Sequence, residues 1–501
     1  MNVISQDAAR EQVCQLLSGW GLPAARMAGL AEAISVLVDL VTGEAPGSAV
    51  DLEASAVTAA LAAARPLLEV RLQERLDVLD EETRGVCECL LCGASAASQG
   101  RRQRRWRSLT GPLRLVRRYT QCTSCGEKRS LSQERLGLSW SEYTPRLEEV
   151  CTLMATTVPH GMAVELVEKL AGVEVSAHGI QQMTERRAQR LEAALRADAS
   201  RYACYDDTGL PVDKPERPKD ATKRPVGTAY IEVDGVVPMT REEVPEKDLS
   251  AQDRRRRQKA IRDGARGGRG RRYTLVGREV KNAVLYTADD CAPESPSRAC
   301  LTDKRYVSHL GDWQQFAKLL WVEIVRKSFD RAQQLVLISD GAEWVRSLAK
   351  WLPVQPLLIL DLFHVKHRIW EVANALYGEH TPAATAWAQI QCECVEAGQA
   401  SSVIASLEAL SPRAKATKLV RLLVEYLQAN LDRMDYPAYR KRGLRVGSGA
   451  VESANYHVTG ARLKLQGMRW SLQGAREMSY LRADLFNGRW QERTRQLPVA
   501  Q

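Results

Sequence analysis

The chain of 501 residues is 45% apolar and 26% charged, which excludes a disordered protein and leaves apolar mass for two to four domains. No apolar run approaches the ~20 residues of a membrane helix, and the first residues lack the basic-then-apolar order of a secretory signal. A cytoplasmic protein without a membrane partner is expected, and the net charge of +10 points to a polyanionic one.

Residues 1–85 are net acidic and alternate apolar helical stretches with breaks at Gly21-Leu22-Pro23 and Gly43-Glu44-Ala45-Pro46, which reads as a helical module. In residues 86–130, Cys89-x-x-Cys92 and Cys122-x-x-Cys125 form two knuckles, the pattern of one tetrahedral Zn²⁺ held by four thiolates. The stretch between them, Trp106 to Tyr119, reads as a hairpin, so the segment is expected to be a zinc ribbon. Redox cysteines are the alternative. Eight arginines and no acid fall within 101–120. That density suggests phosphate contact, with Arg105, Arg107, Arg117 and Arg118 as candidates.

Residues 131–205 read as helical. A helix over Met162–Leu170, a turn at Ala171-Gly172 and a second helix capped by Ser176 have the layout of a helix-turn-helix. Gln181 and Arg186 would then face base edges. A plain helical hairpin would look the same. Residues 206–226, rich in Pro, Lys and Asp, read as a linker.

The segment 227–374 alternates strands and helices as one α/β sheet does. Strands are expected at Thr228–Val237, Glu279–Ala288, Gln334–Ser339 and Leu357–Leu360. Asp234 and Asp340 each close an apolar run and precede a glycine, so both sit where a buried strand ends. Between the first two strands, residues 254–272 carry ten Lys/Arg and one acid, starting with Arg254, Arg255, Arg256 and Arg257. This segment is expected to project as a loop that meets nucleic acid. Residues 375–440 are helical throughout and read as an insertion. In residues 441–501, Glu452 opens a helix after Gly447-Ser448-Gly449.

Hard carboxylate oxygens on rigid elements are what two Mg²⁺ or Mn²⁺ ions need for phosphoryl transfer. The expected fold is therefore multidomain α/β, with an RNase H-like catalytic core whose metal-binding acids are Asp234, Asp340 and Glu452. Asp340 is preferred to Asp361 as the second acid because Ser-Asp-Gly closes a strand. Glu452, Asn455, Thr459 and Arg462 recur at helical spacing as a polar stripe that Lys464 and Trp470 extend toward DNA. Trp470 would stack on a base or anchor the helix.

Ile359-Leu-Asp-Leu-Phe-His-Val365, Arg445-Val-Gly-Ser-Gly-Ala-Val-Glu-Ser453, Arg462-Leu-Lys464 and Gly467-Met-Arg-Trp-Ser471 are distinctive. With Val233-Asp-Gly235 and the paired knuckles, they resemble bacterial insertion-sequence transposases of the ISKra type, relatives of Mutator-like DDE transposases. The resemblance covers roughly residues 85–490. It implies a DDE transposase that acts on double-stranded element ends and target DNA, as a homo-oligomer on DNA. Asp361 and His364 match the Asp-x-x-His signature of that group, and His364 would orient a phosphate or protonate a leaving group. A nuclease or resolvase without strand transfer would keep the acids but give no joined product. A zinc-dependent DNA-binding regulator would show no metal-dependent cleavage.

Overall fold

The computed structural model describes residues 23–492 apart from 43–47, 85–87, 90, 139, 207, 213–215, 264–271, 296–297 and 411–413, together with a few residues between 8 and 19. The breaks expected around Gly21 and at Gly43 to Pro46 lie outside them. The protein is mixed α/β with several sheets, and it divides into two compact units, one up to Arg190 and one over Leu191–Arg493.

In the first unit, helices α1 (Ala24–Thr42) and α2 (Ala49–Glu82) precede a long hairpin of β1 (Ala96–Ser108) and β2 (Gly111–Cys122), with β3 (Lys128–Arg129) alongside. The expected hairpin is present and longer than expected. Leu76 of α2 packs against Trp106, Leu115 and Leu138. Helix α2 also caps the open edge of β2. The backbone N–H groups of Arg114, Val116 and Arg118 donate to Glu69 (3.0 Å), Gln73 (2.7 Å) and Asp80 (2.9 Å). An unpaired edge is a liability, and the acidic helix removes it. Helices α3 (Leu131–Arg135), α4 (Pro145–Thr157), α5 (His160–Ala171) and α6 (Ala177–Arg201) follow. Gly172 ends α5 at φ 63°, and Ser176 Oγ accepts the Gly179 N–H at 3.0 Å, so the turn and cap expected from sequence are present.

The second unit is built on a five-stranded sheet. Its strands are β4 (Thr228–Val236), β7 (Val280–Thr287), β10 (Arg305–Leu310), β11 (Gln334–Ser339) and β12 (Leu357–Leu360), in the order β10-β7-β4-β11-β12. β4, β7 and β10 are antiparallel neighbours, while β11 and β12 run parallel to β4. Helices α8 (Trp313–Arg326) and α9 (Glu343–Trp351) flank β11 in sequence. Between β4 and β7 the chain forms a hairpin of β5 (Met239–Glu243) and β6 (Tyr273–Gly277), and between β7 and β10 an antiparallel pair of β8 (Cys291–Ser295) and β9 (Arg298–Leu301). Helix α7 (Ala251–Arg262) lies within the β5–β6 hairpin, so the four arginines expected on a loop stand on a helix. Ser250 caps that helix through the Asp253 N–H (3.1 Å), and arginine is a good helix former. Residues 264–271 of the same basic segment lie outside the described residues.

The stretch read as a linker is packed down at Arg217, whose guanidinium meets Asp330 at 2.6 Å and the Val325 carbonyl at 3.0 Å. Helices α10 (Leu362–Tyr377), α11 (Pro382–Glu396), α12 (Ala400–Glu408), α13 (Ala414–Asn430) and α14 (Tyr436–Lys441) follow β12. Val365, Ala388, Val403, Leu427 and Tyr436 share one core with Tyr230, Val284 and Ile338 of the sheet. The helices read as an insertion are therefore part of the second unit's own core.

Candidate active site

Successive residues of a strand alternate faces, so Tyr230, Glu232 and Asp234 of β4 share one side. The register pairs Val233 with Ser339 and Ser339 with Leu360, so Asp234, Asp340 and Asp361 all stand at the same end of the sheet. The chain returns there through helix α15 (Gly449–Ala454), whose first turn carries Glu452, and a π-helical turn over Asn455–Gly460. π-turns of this kind are frequent at functional sites.

Both oxygens of Asp234 are engaged: one accepts the Gly235 N–H at 2.7 Å and the other the Asn455 side-chain amide at 2.6 Å. Asn455 is held in turn by Asn282 (2.6 Å), which accepts from Ser308 and Thr459. Burial pushes the Asp234 carboxyl up to about 6, and the charges of Asp340 and Glu452 add to it against the Gly235 N–H and His364. Repelling carboxylates of this kind are what a divalent cation would relieve.

Asp340 is half-buried, with one oxygen accepting the Ala342 N–H at 3.0 Å and its carbonyl held by Tyr426 at 2.8 Å. Asp361 is fully buried. It caps α10 through the Phe363 N–H (2.9 Å) and accepts from His364 Nδ1 (2.6 Å) and Ser448 Oγ. Burial would raise the Asp361 carboxyl, but His364 and the other donors outweigh it and hold it low. The same bond raises His364. Glu452 is half-exposed, with an oxygen 3.8 Å from His364 Nδ1. Asp361, His364 and Glu452 bring their donor atoms within 4.8 Å of one another. Asp361 holds three donors and Asp234 two, whereas Asp340 and Glu452 keep oxygens free for a hard cation, the donor type Mg²⁺ or Mn²⁺ prefers.

In the first unit, Cys89, Cys92, Cys122 and Cys125 gather their sulfurs within 4.8 Å. The Cys89–Cys125 and Cys92–Cys122 sulfurs lie 3.6 and 3.5 Å apart. A tetrahedron with Zn–S bonds of about 2.3 Å has edges of ~3.8 Å, so the group fits one Zn²⁺. Both knuckles turn through glycines with positive φ, Gly93 and Gly126.

The expected DNA contacts divide. Arg105 and Lys464 are exposed. Arg107 is exposed but donates to the Glu174 carbonyl at 3.0 Å. Arg118 keeps its guanidinium 3.8 Å from Glu81. Arg117 is a correction: it is 4% exposed, bonded to Gln133 and stacked against Trp106, Tyr119 and Trp140, so it packs the hairpin and meets no phosphate. Arg462 is corrected likewise, and Trp470 is buried as its anchoring reading has it. Arg462 is 1% exposed with its guanidinium 4.7 Å from the Trp470 ring, and the indole N–H donates to the Leu463 carbonyl at 3.2 Å. Thr459 is buried too, so the polar stripe faces inward beyond Asn455. Gln181 is exposed, whereas Arg186 pairs with Glu148 at 2.8 Å within the first unit. On α7, Arg254 donates to the Leu249 carbonyl and Arg257 pairs with Glu243 at 3.2 Å, while Arg255 and Arg256 are exposed.

Sequence reading missed Glu232, Asn282 and Tyr426. For Glu232 a signal existed, since it is a charged residue in an apolar strand at even spacing from Asp234.

The model of the uncharacterised protein family UPF0236 matches residues 165–496. The chain belongs to that family. The match takes in α6, the whole five-stranded sheet and every acid of the site, and leaves the four-cysteine hairpin outside it. No curated protein matches this UPF0236 member. Among the described residues, no helix of it is long and apolar enough to cross a membrane.

Proposed function

We propose that this UPF0236 protein is a DDE-type DNA transposase with an RNase H-like core, cleaving the ends of a mobile element and joining them to target DNA. The observation that carries the reading is the convergence of Asp234, Asp340 and Glu452, with His364, at one end of a sheet in which three antiparallel strands adjoin two parallel ones. Three acids from points more than 100 residues apart are not needed to fold that sheet, and their mutual repulsion works against it.

Asp234 is central in this reading, and Asp340 and Glu452 are the flanking ligands. When bound, Mg²⁺ or Mn²⁺ supplies Lewis-acid stabilisation of the attacking and leaving oxygens. His364, fixed by Asp361 through Nδ1, presents its other ring nitrogen for a phosphate oxygen or a leaving 3′ oxygen. The four-cysteine group holds one structural Zn²⁺, and the exposed arginines of the hairpin and of α7 meet the DNA backbone.

The test uses the purified protein, Mg²⁺ and a plasmid carrying the DNA that flanks its gene. Breaks at the element ends followed by joined products support the reading. Cleavage without joining would leave a nuclease or resolvase, and binding without cleavage a regulator.

A further inference from the structure

Three same-face residues of β4 each grip a later point of the segment 445–460. The Tyr230 hydroxyl accepts the Arg445 N–H at 3.3 Å. One oxygen of Glu232 accepts the Ala450 and Val451 N–H groups at 2.8 and 2.9 Å, while its other oxygen accepts the Tyr286 hydroxyl. Asp234 accepts Asn455 at 2.6 Å. Glu232 is 1% exposed and all its contacts are internal, so it touches neither a metal nor DNA. Burying a carboxylate is costly unless donors surround it, and a hydrophobic residue would fill this strand position at lower cost. The donors it has found are two free N–H groups of the first turn of α15, the end of a helix that favours a negative charge.

We infer that Glu232 is a positioning residue that pins the first turn of the Glu452 helix to β4 and so sets where Glu452 stands relative to Asp234. Glu452 follows Val451 directly; its backbone N–H donates to the Ser448 carbonyl at 3.1 Å, while its side chain is half-exposed and comes within 3.8 Å of His364 Nδ1. Its placement is therefore inherited from the backbone beneath it. Tyr286 fixes Glu232 from the neighbouring strand, where Tyr286 stands opposite Tyr230 and the two rings stack at 5.2 Å. The inference rests on the proposed reading only in that Glu452 is taken as a metal ligand.

The experiment compares Glu232→Gln, Tyr286→Phe and Glu452→Gln in the full-length protein. Hydrogen exchange of peptides spanning 445–460 reads positioning without any reaction. Exchange there should quicken at least tenfold in Glu232→Gln, less in Tyr286→Phe and not at all in Glu452→Gln, with the β11 peptides unchanged. In cleavage assays, Glu232→Gln should raise the Mg²⁺ concentration for half-maximal rate about tenfold at unchanged DNA affinity. Unchanged exchange over 445–460 in Glu232→Gln overturns the inference, whether or not the protein cleaves DNA. Should Glu232→Gln fail to fold, Tyr286→Phe decides by the same readout. A wild-type protein that shows no cleavage sinks the transposase reading, while the exchange data still judge the role of Glu232.

Discussion

Asn455 donates its side-chain amide to Asp234 at 2.6 Å across 221 positions of sequence, joining the π-helical turn after Glu452 to the strand that carries the first acid. The bond does two things. It fixes the Asp234 carboxylate in one orientation, and it records that the C-terminal segment is seated on β4. Asn282, Ser308 and Thr459 continue the chain of donors, so that orientation is set by three strands and a helix together.

Asp234→Asn, Asp340→Asn and Glu452→Gln should each abolish Mg²⁺-dependent cleavage and joining while leaving DNA binding intact, because each removes a charged oxygen with little change in volume. Asp361→Asn tests a different role. Asp361 is buried and holds three donors, so the variant should lose about 1–3 kcal/mol of stability along with activity. Thermal melting beside the cleavage assay separates the two. A fully active Asp340→Asn protein would transfer the second catalytic position to Asp361.

The burial of Asp234, with the charges of Asp340 and Glu452 beside it, has a stability consequence. Its carboxyl is pushed up to about 6 in the folded protein from an ordinary value of 3.8. The folded state therefore holds the proton more tightly, and stability is lost as pH rises from about 4 through about 6. Without Mg²⁺ at pH 7.5, Asp234→Asn should melt higher than wild type, by a margin on the order of 1–3 kcal/mol. At pH 4 the difference should shrink. A variant less stable than wild type at pH 7.5 would mean that Asn455 and Gly235 hold the charge more strongly than burial and the neighbouring acids disfavour it.

How much of this was legible follows from physics at particular residues. β11 and β12 were read to the residue, because buried parallel strands are unbroken apolar runs and each ends on a carboxylate. Asp234 and Asp340 stood out for the same reason. Charge density was a poorer guide. Arg117 and Arg462 looked like DNA contacts, but an arginine can lie flat on a tryptophan and be buried with it. The capping of β2 by Glu69, Gln73 and Asp80 was invisible, since acidity on a helix does not say which backbone edge it will meet. Helix α7, which runs from Ala251 into the basic segment, is hard to read there because its cap, Ser250, lies before the basic run.

Elemental analysis should find about one zinc per chain. Cys89→Ser with Cys122→Ser should lose it together with protection of the β1–β2 hairpin, since one residue is removed from each knuckle. Single substitution of Cys151, a buried cysteine of the helical cluster, should leave zinc unchanged. Zinc retained in the double variant would refute the site.

Helix α7 offers a graded test of how DNA is held. Arg254 and Arg257 are tied to Leu249 and Glu243, whereas Arg255 and Arg256 are exposed. Each arginine that meets a phosphate contributes close to one unit to the salt dependence of binding. Replacing Arg255 and Arg256 by alanine should therefore weaken binding to every DNA and lower the slope of log affinity against log salt by up to about two. Replacing Arg254 and Arg257 should change the slope less. Gln181 is the contrasting case. It is exposed on α6, while Arg186 on the same helix is committed to Glu148. Gln181→Ala should leave the salt slope alone and narrow the gap between element-end and random DNA by about 1–3 kcal/mol, the value of one good base contact. Binding to both DNAs over a salt series measures all three variants. If Gln181→Ala keeps the full preference for the element ends, base reading belongs to another surface, and the exposed arginines of the β1–β2 hairpin are the next to replace.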